Sequence, residues 1–173
     1  PMNRYMKEAG IEDSREKALK YIRRVTGDKV PDPKLLEVYV DNAYKMIDYL
    51  HENTPLRFKV PENYPEYYGY FEGTTTGRSI DPLPYDMNEI GEYGALIRNN
   101  PTFPPLTLEE GGAKGGIDFG KVAERMENNI VTMGRSLTAS LVKGCLDRGI
   151  EIVMETPGTE LVLNDEGDVI GIV

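Results

Sequence analysis

At 173 residues, the chain is long enough for one ordinary domain with its own core. Its net charge of −9 at pH 7 argues against general nucleic-acid binding and against docking on an anionic membrane, since both need a basic surface. The 39% apolar and 28% charged residues are proportions typical of a globular protein. A small or neutral ligand is therefore compatible with this composition.

The single cysteine, the single histidine and the lack of long apolar runs exclude further classes of protein and site. Cys145 is the single cysteine, which excludes an intrachain disulfide, and with His51 as the single histidine we predict no metal site. No run approaches the roughly 18 apolar residues of a membrane span, and no signal peptide is visible, so we expect a cytoplasmic protein. The chain enters a helical pattern soon after Pro1 and stops at Val173 inside an apolar run. We therefore expect it to be a segment of a longer protein.

Two amphipathic helices are predicted in the first 60 residues. The first begins at a capping pair, Asp13 and Glu16, and ends at Gly27, and the second runs from Asp32-Pro33 to Asn53. Apolar residues at helical spacing give each a buried face: Ala18, Leu19, Ile22 and Val25 in the first, and Leu36, Val40, Ala43, Ile47 and Leu50 in the second. A short strand is expected between Leu56 and Val60.

Residues 61–120 form a loop-rich region that is dense in tyrosine, glycine and proline. A loop of this length in a compact domain is usually functional or disordered, and its aromatic residues favour an ordered, functional loop. Within it, we expect disorder from Glu109 to Gly116, where the acidic pair Glu109-Glu110 would be solvated. A further helix is predicted over Val122 to Met133.

The last forty residues are predicted to form a helix, a strand and a hairpin. Leu137, Leu141 and Cys145, widened by Val142 and Leu146, form a helical stripe that Gly149 ends. Apolar runs follow at Ile150 to Met154, Glu160 to Leu163 and Val169 to Val173, and the turn formers 164–168 join the last two runs into a hairpin. The predicted fold class is α+β, a mainly helical segment with a small C-terminal sheet.

Two glycine-rich stretches do not have the features of nucleotide-binding loops. Gly73 and Gly77 are separated by three residues where a triphosphate loop has four, and Arg78 stands in place of the lysine. Arg78 can hold a carboxylate or phosphate, although a structural salt bridge is the favoured interpretation. The run from Gly111 to Gly116 does not follow a strand, and no GxGxxG after a strand is present, so neither stretch is a dinucleotide fingerprint.

The tyrosine cluster is the most suggestive chemical feature. It comprises Tyr64, Tyr67, Tyr68, Tyr70 and Phe71. A phenol donates or accepts a proton, or stacks on a flat ligand, but from composition alone packing under a loop is favoured. By the same reasoning Cys145 is a core residue rather than a nucleophile, and His51 is placed at a helix end, where a protonated imidazole suits the dipole.

Several short motifs, in this order and spacing, carry a resemblance to a known family. They are Asn3-Arg4-Tyr5-Met6, Glu12-Asp13-Ser14, Ala18-Leu19 with Tyr21, Val40-Asp41-Asn42-Ala43, Tyr64-Pro65-Glu66-Tyr67-Tyr68, Gly77-Arg78-Ser79, Gly134-Arg135-Ser136-Leu137, Arg148-Gly149-Ile150 and Glu155-Thr156-Pro157. With them the chain resembles the fumarate reductase/succinate dehydrogenase flavoproteins, especially the 3-ketosteroid dehydrogenase branch. The resemblance implies an excised part of an FAD domain in an oxidoreductase.

The resemblance also implies site residues and partners. It assigns a catalytic role to Tyr67, with Tyr68 as the alternative, and places Tyr64 and Arg78 at the substrate. It places Gly158 and Thr159 at the adenine of FAD. The pyrophosphate fingerprint would precede Pro1, so we expect FAD in the parent protein and none bound to this chain. The substrate, steroid-like or dicarboxylate, stays open.

The resemblance implies one FAD-domain segment, residues 1–173, with a helical part (1–60), the tyrosine, glycine and proline-rich region (61–120) and a helix with a small sheet (121–173). Its partners would be the remaining FAD domain, a capping substrate domain and a small molecule. The isolated segment would be inactive, and its uncovered faces favour a homodimer. The alternative function is a stand-alone binding module that uses the tyrosine-rich loop.

Overall fold

The computed structural model describes residues 1–62, 64–112 and 116–173 and confirms the α+β class, with helices and three small antiparallel sheets. No helix in these ranges is both long and apolar enough to cross a bilayer. The helices are α1 Arg4–Glu8, α2 Arg15–Thr26, α3 Lys34–Asn53, α4 Tyr93–Leu96, α5 Leu108–Gly111, α6 Phe119–Glu127 and α7 Met133–Leu146. The strands are β1 Phe58–Lys59, β2 Asp81–Pro82, β3 Tyr85–Asp86, β4 Ile130–Val131, β5 Leu161–Leu163 and β6 Val169–Ile172.

The two long N-terminal helices, α2 and α3, form as the apolar spacing predicts. Ser14, not Asp13, is the N-cap of α2, because the Ser14 side chain accepts from the Lys17 N–H while the Asp13 carboxylate turns to Arg78. Helix α3 ends at Asn53, and the Thr54 N–H that follows bonds the carbonyl of Leu50. Both predicted helices are confirmed, with the first cap shifted by one residue.

The core consists of three adjoining apolar clusters rather than one. The first lies between α2 and α3, around Ala18, Leu19 and Val40. The second holds Tyr5, Leu56 and Phe58, and the third holds Tyr85, Met87, Ile90, Val131 and Ala139. Helix α3 borders the first two clusters, since Leu36 packs on one and Ile47 and Leu50 on the other. Helix α7 borders the second and third clusters in the same way.

The most deeply buried positions of helix α7 are small residues beside the predicted stripe. Ser136, Ala139, Ser140 and Gly144 are its buried positions, whereas Leu141 is 36% exposed. The Ser136 hydroxyl donates to the carbonyl of Leu83. Small side chains let the helix approach β2 and the end of α3 closely. Leu137, Val142 and Leu146 of the predicted stripe also pack against the core clusters, so the predicted stripe is confirmed in part.

The region before α7 differs from the predicted single helix over 122–133. Helix α6 ends at Glu127, and Asn129 takes a left-handed backbone with φ of 57°. Strand β4 then pairs with β3 in antiparallel register, Tyr85 opposite Val131. This pairing replaces the helix because Ile130 and Val131 suit a strand that borders the third cluster.

The acidic pair 109–110 is also ordered where disorder was expected. Helix α5 begins at Thr107, whose side chain accepts from the Glu110 N–H while the Glu110 carboxylate accepts from the Thr107 N–H, a complete capping box. The expectation of disorder is therefore wrong for Glu109 and Glu110. Positions 113–115 of that stretch lie outside the described residues.

The chain closes in the predicted hairpin of β5 and β6. Asn164 organises the turn, because its side-chain oxygen accepts from the N–H groups of Glu166 and Asp168 at 3.0 and 2.8 Å. The expected strand from Ile150 to Met154 is wrong: these residues have no strand hydrogen bonds in the described chain, and Val153 is 62% exposed. An apolar run alone does not make a strand, because a strand also needs a paired neighbour.

Candidate functional site

Arg78 holds residues 64–77 in place, and we call this segment the tyrosine loop. Its guanidinium donates to both Asp13 oxygens at 2.7 and 2.8 Å and to both Glu66 oxygens at 3.1 and 3.2 Å. It also donates to the carbonyl of Gly73 at 2.9 Å. One side chain therefore ties the start of α2 to both ends of the loop.

The charges of this network are mostly withdrawn from water. The Arg78, Asp13 and Glu66 side chains are only 10%, 0% and 11% exposed. Burial alone would raise the pKa of Asp13, but the hydrogen bonds and charge of Arg78 outweigh it and leave that pKa below its ordinary value. The salt bridge considered for Arg78 is therefore present, and its assignment to substrate stays a prediction.

A close backbone approach seats the loop on α2. Gly73 has a φ of 86°, and a Cβ placed there would lie 2.4 Å from the carbonyl oxygen of Lys17. On the same side, the Tyr68 N–H donates to the Tyr21 hydroxyl at 3.3 Å. Only glycine suits position 73, because both its backbone conformation and the lack of space exclude a side chain.

Replacing Gly73 by alanine should therefore release the loop from α2. We expect the free energy of unfolding to fall by about 1–3 kcal/mol, the cost of a strained backbone position. Urea unfolding followed by circular dichroism measures this. Gly69→Ala is the matched control, since a Cβ there meets nothing closer than 3.7 Å and should cost under about 1 kcal/mol. Equal losses in the two variants would contradict the argument.

The five aromatic residues of the loop divide into a packed group and an exposed tip. The Tyr68 ring stacks on Phe71 with centroids 5.2 Å apart, and Arg24 lies over Phe71 at 5.1 Å. Tyr67, in contrast, is 90% exposed. Packing under a loop therefore describes Phe71, but it does not describe Tyr67.

Tyr64 and Tyr67 are close in sequence at this tip. Interaction with the Tyr67 hydroxyl raises the pKa of Tyr64 above its ordinary value. Tyr68 is less exposed, at 43%. The structure thus leaves Tyr67 open to a ligand, while the catalytic and substrate-binding roles stay predictions.

His51 and Cys145 lie on helices, His51 on α3 and Cys145 on α7. The ring of His51 lies in the last turn of α3, with Nδ1 2.7 Å from the hydroxyl of Tyr5. The predicted place at a helix end is therefore confirmed, while burial, then the charges of Arg4 and Arg57, lower the pKa of His51. Cys145 is half-buried on α7.

The residues assigned to adenine lie beside the hairpin. The N–H and hydroxyl of Thr159 both donate to the carbonyl of Val173, so its polar groups extend the β5–β6 pairing. Gly158 is exposed, and a Cβ there would lie 3.1 Å from the Ile172 side chain. Many exposed apolar side chains surround this segment: Leu161, Leu163, Val169, Ile170, Ile172 and Val173. The hairpin therefore offers an uncovered apolar surface.

A second buried charge network joins α5 to α6, and it was not predicted. Glu110 accepts from Arg125 Nη1 at 2.6 Å and Nη2 at 2.9 Å, and Arg125 also donates to the Pro105 carbonyl at 2.7 Å. These hydrogen bonds hold the pKa of Glu110 well below its usual range. Nearby, buried Asp81 accepts from the Leu108 N–H at 2.8 Å, and burial raises the pKa of Asp81.

The depressed pKa of Glu110 predicts a sensitivity to acid. Because the folded-state pKa lies below the unfolded value, the stabilisation is complete above that unfolded value and is lost as the pH falls towards the folded one. Glu110→Gln should therefore be less stable at pH 7 and lose less additional stability between pH 5 and 3 than the wild type. Urea midpoints at several pH values test this. Glu109→Gln, which removes only a half-buried partner of Lys59, should keep the wild-type slope.

A cavity of about 1060 Å³ opens at the start of α7, and sequence reasoning missed it. Its walls come from 93–105, the end of α6, β4 with the first turn of α7, and the run 150–154. Of the motifs quoted above, only Gly134-Arg135 touches it. The other wall residues have no shared sequence signal, because folding alone brings these distant segments together.

Comparison with known proteins gives a family match along the whole chain. The model of the family described as "FAD binding domain" matches residues 1–173. A 3-oxosteroid 1-dehydrogenase of Mycolicibacterium smegmatis is 30% identical over 99% of this chain and 33% of its own length. A 4-oxocyclohexanecarboxylate 2-dehydrogenase of Sinomonas cyclohexanicum is 27% identical over 95% of this chain and 29% of its own length.

A solved structure shares the fold. The 3-ketosteroid delta1-dehydrogenase of Sterolibacterium denitrificans, in complex with 1,4-androstadiene-3,17-dione, superposes with a TM-score of 0.83 at 23% identity. The match covers 99% of this chain and 35% of that one. The chain thus spans about a third of the length of the proteins it matches.

Proposed function

Because the chain belongs to the FAD binding domain family, we propose that it is one part of an FAD-dependent dehydrogenase that acts on a cyclic ketone of the 3-ketosteroid kind. The observation that carries this proposal is the match of the whole chain to that family, together with relatives named as dehydrogenases of oxo compounds. Those names favour an oxo substrate over the dicarboxylate considered from the resemblance. The cytoplasmic location stays a prediction.

The residues present fit one half of FAD. Gly158 is exposed and without a side chain, so the backbone beside it is open to the edge of an adenine, and the apolar hairpin next to it offers packing. The N–H and the hydroxyl of Thr159 both donate to the carbonyl of Val173. We therefore propose that Thr159 shapes the segment beside the adenine. The sequence contains no GxGxxG loop for the diphosphate.

Tyr67 is the residue we place at the reacting atoms. When bound, FAD supplies the hydride acceptor for dehydrogenation. The Tyr67 hydroxyl would donate to the ketone oxygen, or take the proton released beside it, and thereby support an enolate. Its exposure supports this role, since a ligand could reach the hydroxyl. Tyr68 is the alternative, and Arg78 would act through the loop it fixes.

The proposed partners are the remaining FAD domain and a capping substrate domain of a longer polypeptide, with 1–60, 61–120 and 121–173 as its local parts. The uncovered hairpin and the exposed run 150–154 support this, because apolar surface of that extent is normally covered. A homodimer of the isolated chain, inactive by itself, is the competing way to cover it. Sedimentation of the 173-residue chain tests whether this homodimer forms.

The second candidate function is a binding module. The exposed tip of the tyrosine loop, with Tyr67 and Tyr70 at 90% and 79% exposure, favours it, since exposed aromatic residues are enriched at protein interfaces. This function requires neither flavin nor further domains. The two candidates therefore differ in whether the longer polypeptide is yellow and reduces an electron acceptor.

The test compares two proteins. The polypeptide that extends through the neighbouring coding sequence should carry FAD and reduce a dye with a 3-ketosteroid. The 173-residue chain alone should retain no FAD through gel filtration, because the diphosphate loop is not among its residues. Absorbance near 450 nm measures both. A colourless, inactive long polypeptide would contradict the enzyme proposal, and a yellow short chain would contradict the division of the FAD site.

A further inference from the structure

The cavity at the start of α7 has the size and lining of a binding site. Its volume of about 1060 Å³ lies at the upper end of the range for small-molecule sites, roughly 300–1,000 Å³. Tyr93, Ile97, Phe103, Val142 and Met154 give it apolar walls. A ligand with a ring-sized apolar body therefore fits the lining chemistry.

The charges around the cavity are unlike those of the chain as a whole. The protein carries 29 acidic residues among 173, yet none of the described lining residues is acidic. Three are arginines: Arg98, Arg125 and Arg135. In an acidic protein, this separation of charge creates a local preference for anions.

Neither Arg98 nor Arg135 has a salt bridge in the described part of the chain, and Arg135 is distinguished by a buried donor that is also unsatisfied. Arg125 is neutralised by Glu110, whereas no salt bridge to Arg135 occurs within residues 1–62, 64–112 and 116–173. Its Nε is buried and has no hydrogen-bond acceptor among those residues. A buried donor without an acceptor is costly, so an acceptor supplied by a ligand would be favourable.

The helix start beside Arg135 is also uncapped. Thr132 is the N-cap of α7 and is only 7% exposed, but its side chain accepts no capping hydrogen bond. The first N–H groups of a helix have no partner inside it, and Met133 and Gly134 line the cavity together with Thr132. A helix of 14 residues also directs the positive end of its dipole to this point.

We propose that this cavity binds an organic anion whose charged group is held by Arg135, the Thr132 hydroxyl and the first N–H groups of α7, with its apolar ring body against the Phe103 side. The proposal rests on the cavity alone and does not require the proposed dehydrogenase activity. The charged group we expect is the carboxylate of a ring compound, because the phosphates of FAD are assigned above to a loop that is not among these residues. The uncapped helix end and the buried, unsatisfied Arg135 donor select this anion over a neutral ligand.

The test titrates the 173-residue chain with two matched pairs, FMN against riboflavin and cyclohexanecarboxylate against cyclohexylmethanol. In ¹⁵N-resolved NMR, cyclohexanecarboxylate should shift the amides of residues 133–135 and bind about tenfold or more tightly than its neutral partner, the range of a charge-assisted hydrogen bond. A preference confined to FMN overturns the proposal, because the cavity would then be part of the flavin site.

Variants show whether the named groups hold the anion. Arg135→Gln should weaken binding about tenfold. Lys143→Gln removes the same charge from α7 outside the cavity and should leave the Kd within about twofold. Thr132→Val is the second variant if Arg135→Gln fails to fold, and it should weaken binding severalfold. The proposal is overturned if neither pair prefers its anion, if the shifts fall elsewhere, or if Arg135→Gln and Lys143→Gln act equally.

Discussion

Replacing Tyr67 by phenylalanine in the complete enzyme should lower kcat by roughly ten- to ten-thousand-fold, the span expected when acid-base assistance is lost. The change removes one oxygen and leaves the ring. Because Tyr67 is 90% exposed, that oxygen is not needed for the core of this chain. Dye reduction with a 3-ketosteroid measures the effect, and an unchanged melting temperature would show that it is chemical.

Tyr70→Phe is the matched control for this experiment. Tyr70 lies in the same loop, is 79% exposed and packs edge-on against Phe71, 4.7 Å between centroids. Loss of its hydroxyl should leave kcat within about twofold, since it is not placed at the reacting atoms. Unchanged kinetics in Tyr67→Phe would reject the catalytic role, and a large loss only in Tyr68→Phe would move that role to Tyr68.

The helices of this fold could be predicted because each carries its own signal. Leu36, Val40 and Ile47 recur at helical spacing, and the turn formers around Asn164 mark the hairpin locally. Such signals depend only on neighbouring residues. Helix α7 shows the limit, because the close approach of β2 and the end of α3 places the small residues Ser136 and Gly144 at its most buried positions, beside the apolar stripe.

The site was predictable only where a motif is continuous in sequence. Tyr64 and Tyr67 belong to one such motif, and Tyr67 is exposed in the tyrosine loop. The ion pairs of Arg78 with Asp13, 65 residues away, and of Arg125 with Glu110 depend on folding and leave no local pattern. The run 150–154 misled for a related reason: its apolar residues predict burial but do not say what buries them.

Replacing Arg78 by methionine should be among the most destabilising single changes in this chain. It would leave the fully buried carboxylate of Asp13 and the nearly buried Glu66 without their cation. Breaking a buried pair by removing one partner costs about 3–5 kcal/mol, because the remaining charge is desolvated and uncompensated. Urea unfolding at pH 7 measures the free energy of unfolding directly.

Two further variants separate the charge from the loss of packing. Arg23→Met breaks an exposed pair with Glu37 and should cost less than about 1 kcal/mol. Adding Asp13→Asn to Arg78→Met should recover part of the loss, because a neutral amide replaces the stranded carboxylate. A stable Arg78→Met chain would show that the network is not structural. If Arg78→Met left the stability unchanged but lowered the affinity of the complete enzyme for its substrate, the substrate-binding role of Arg78 would be favoured.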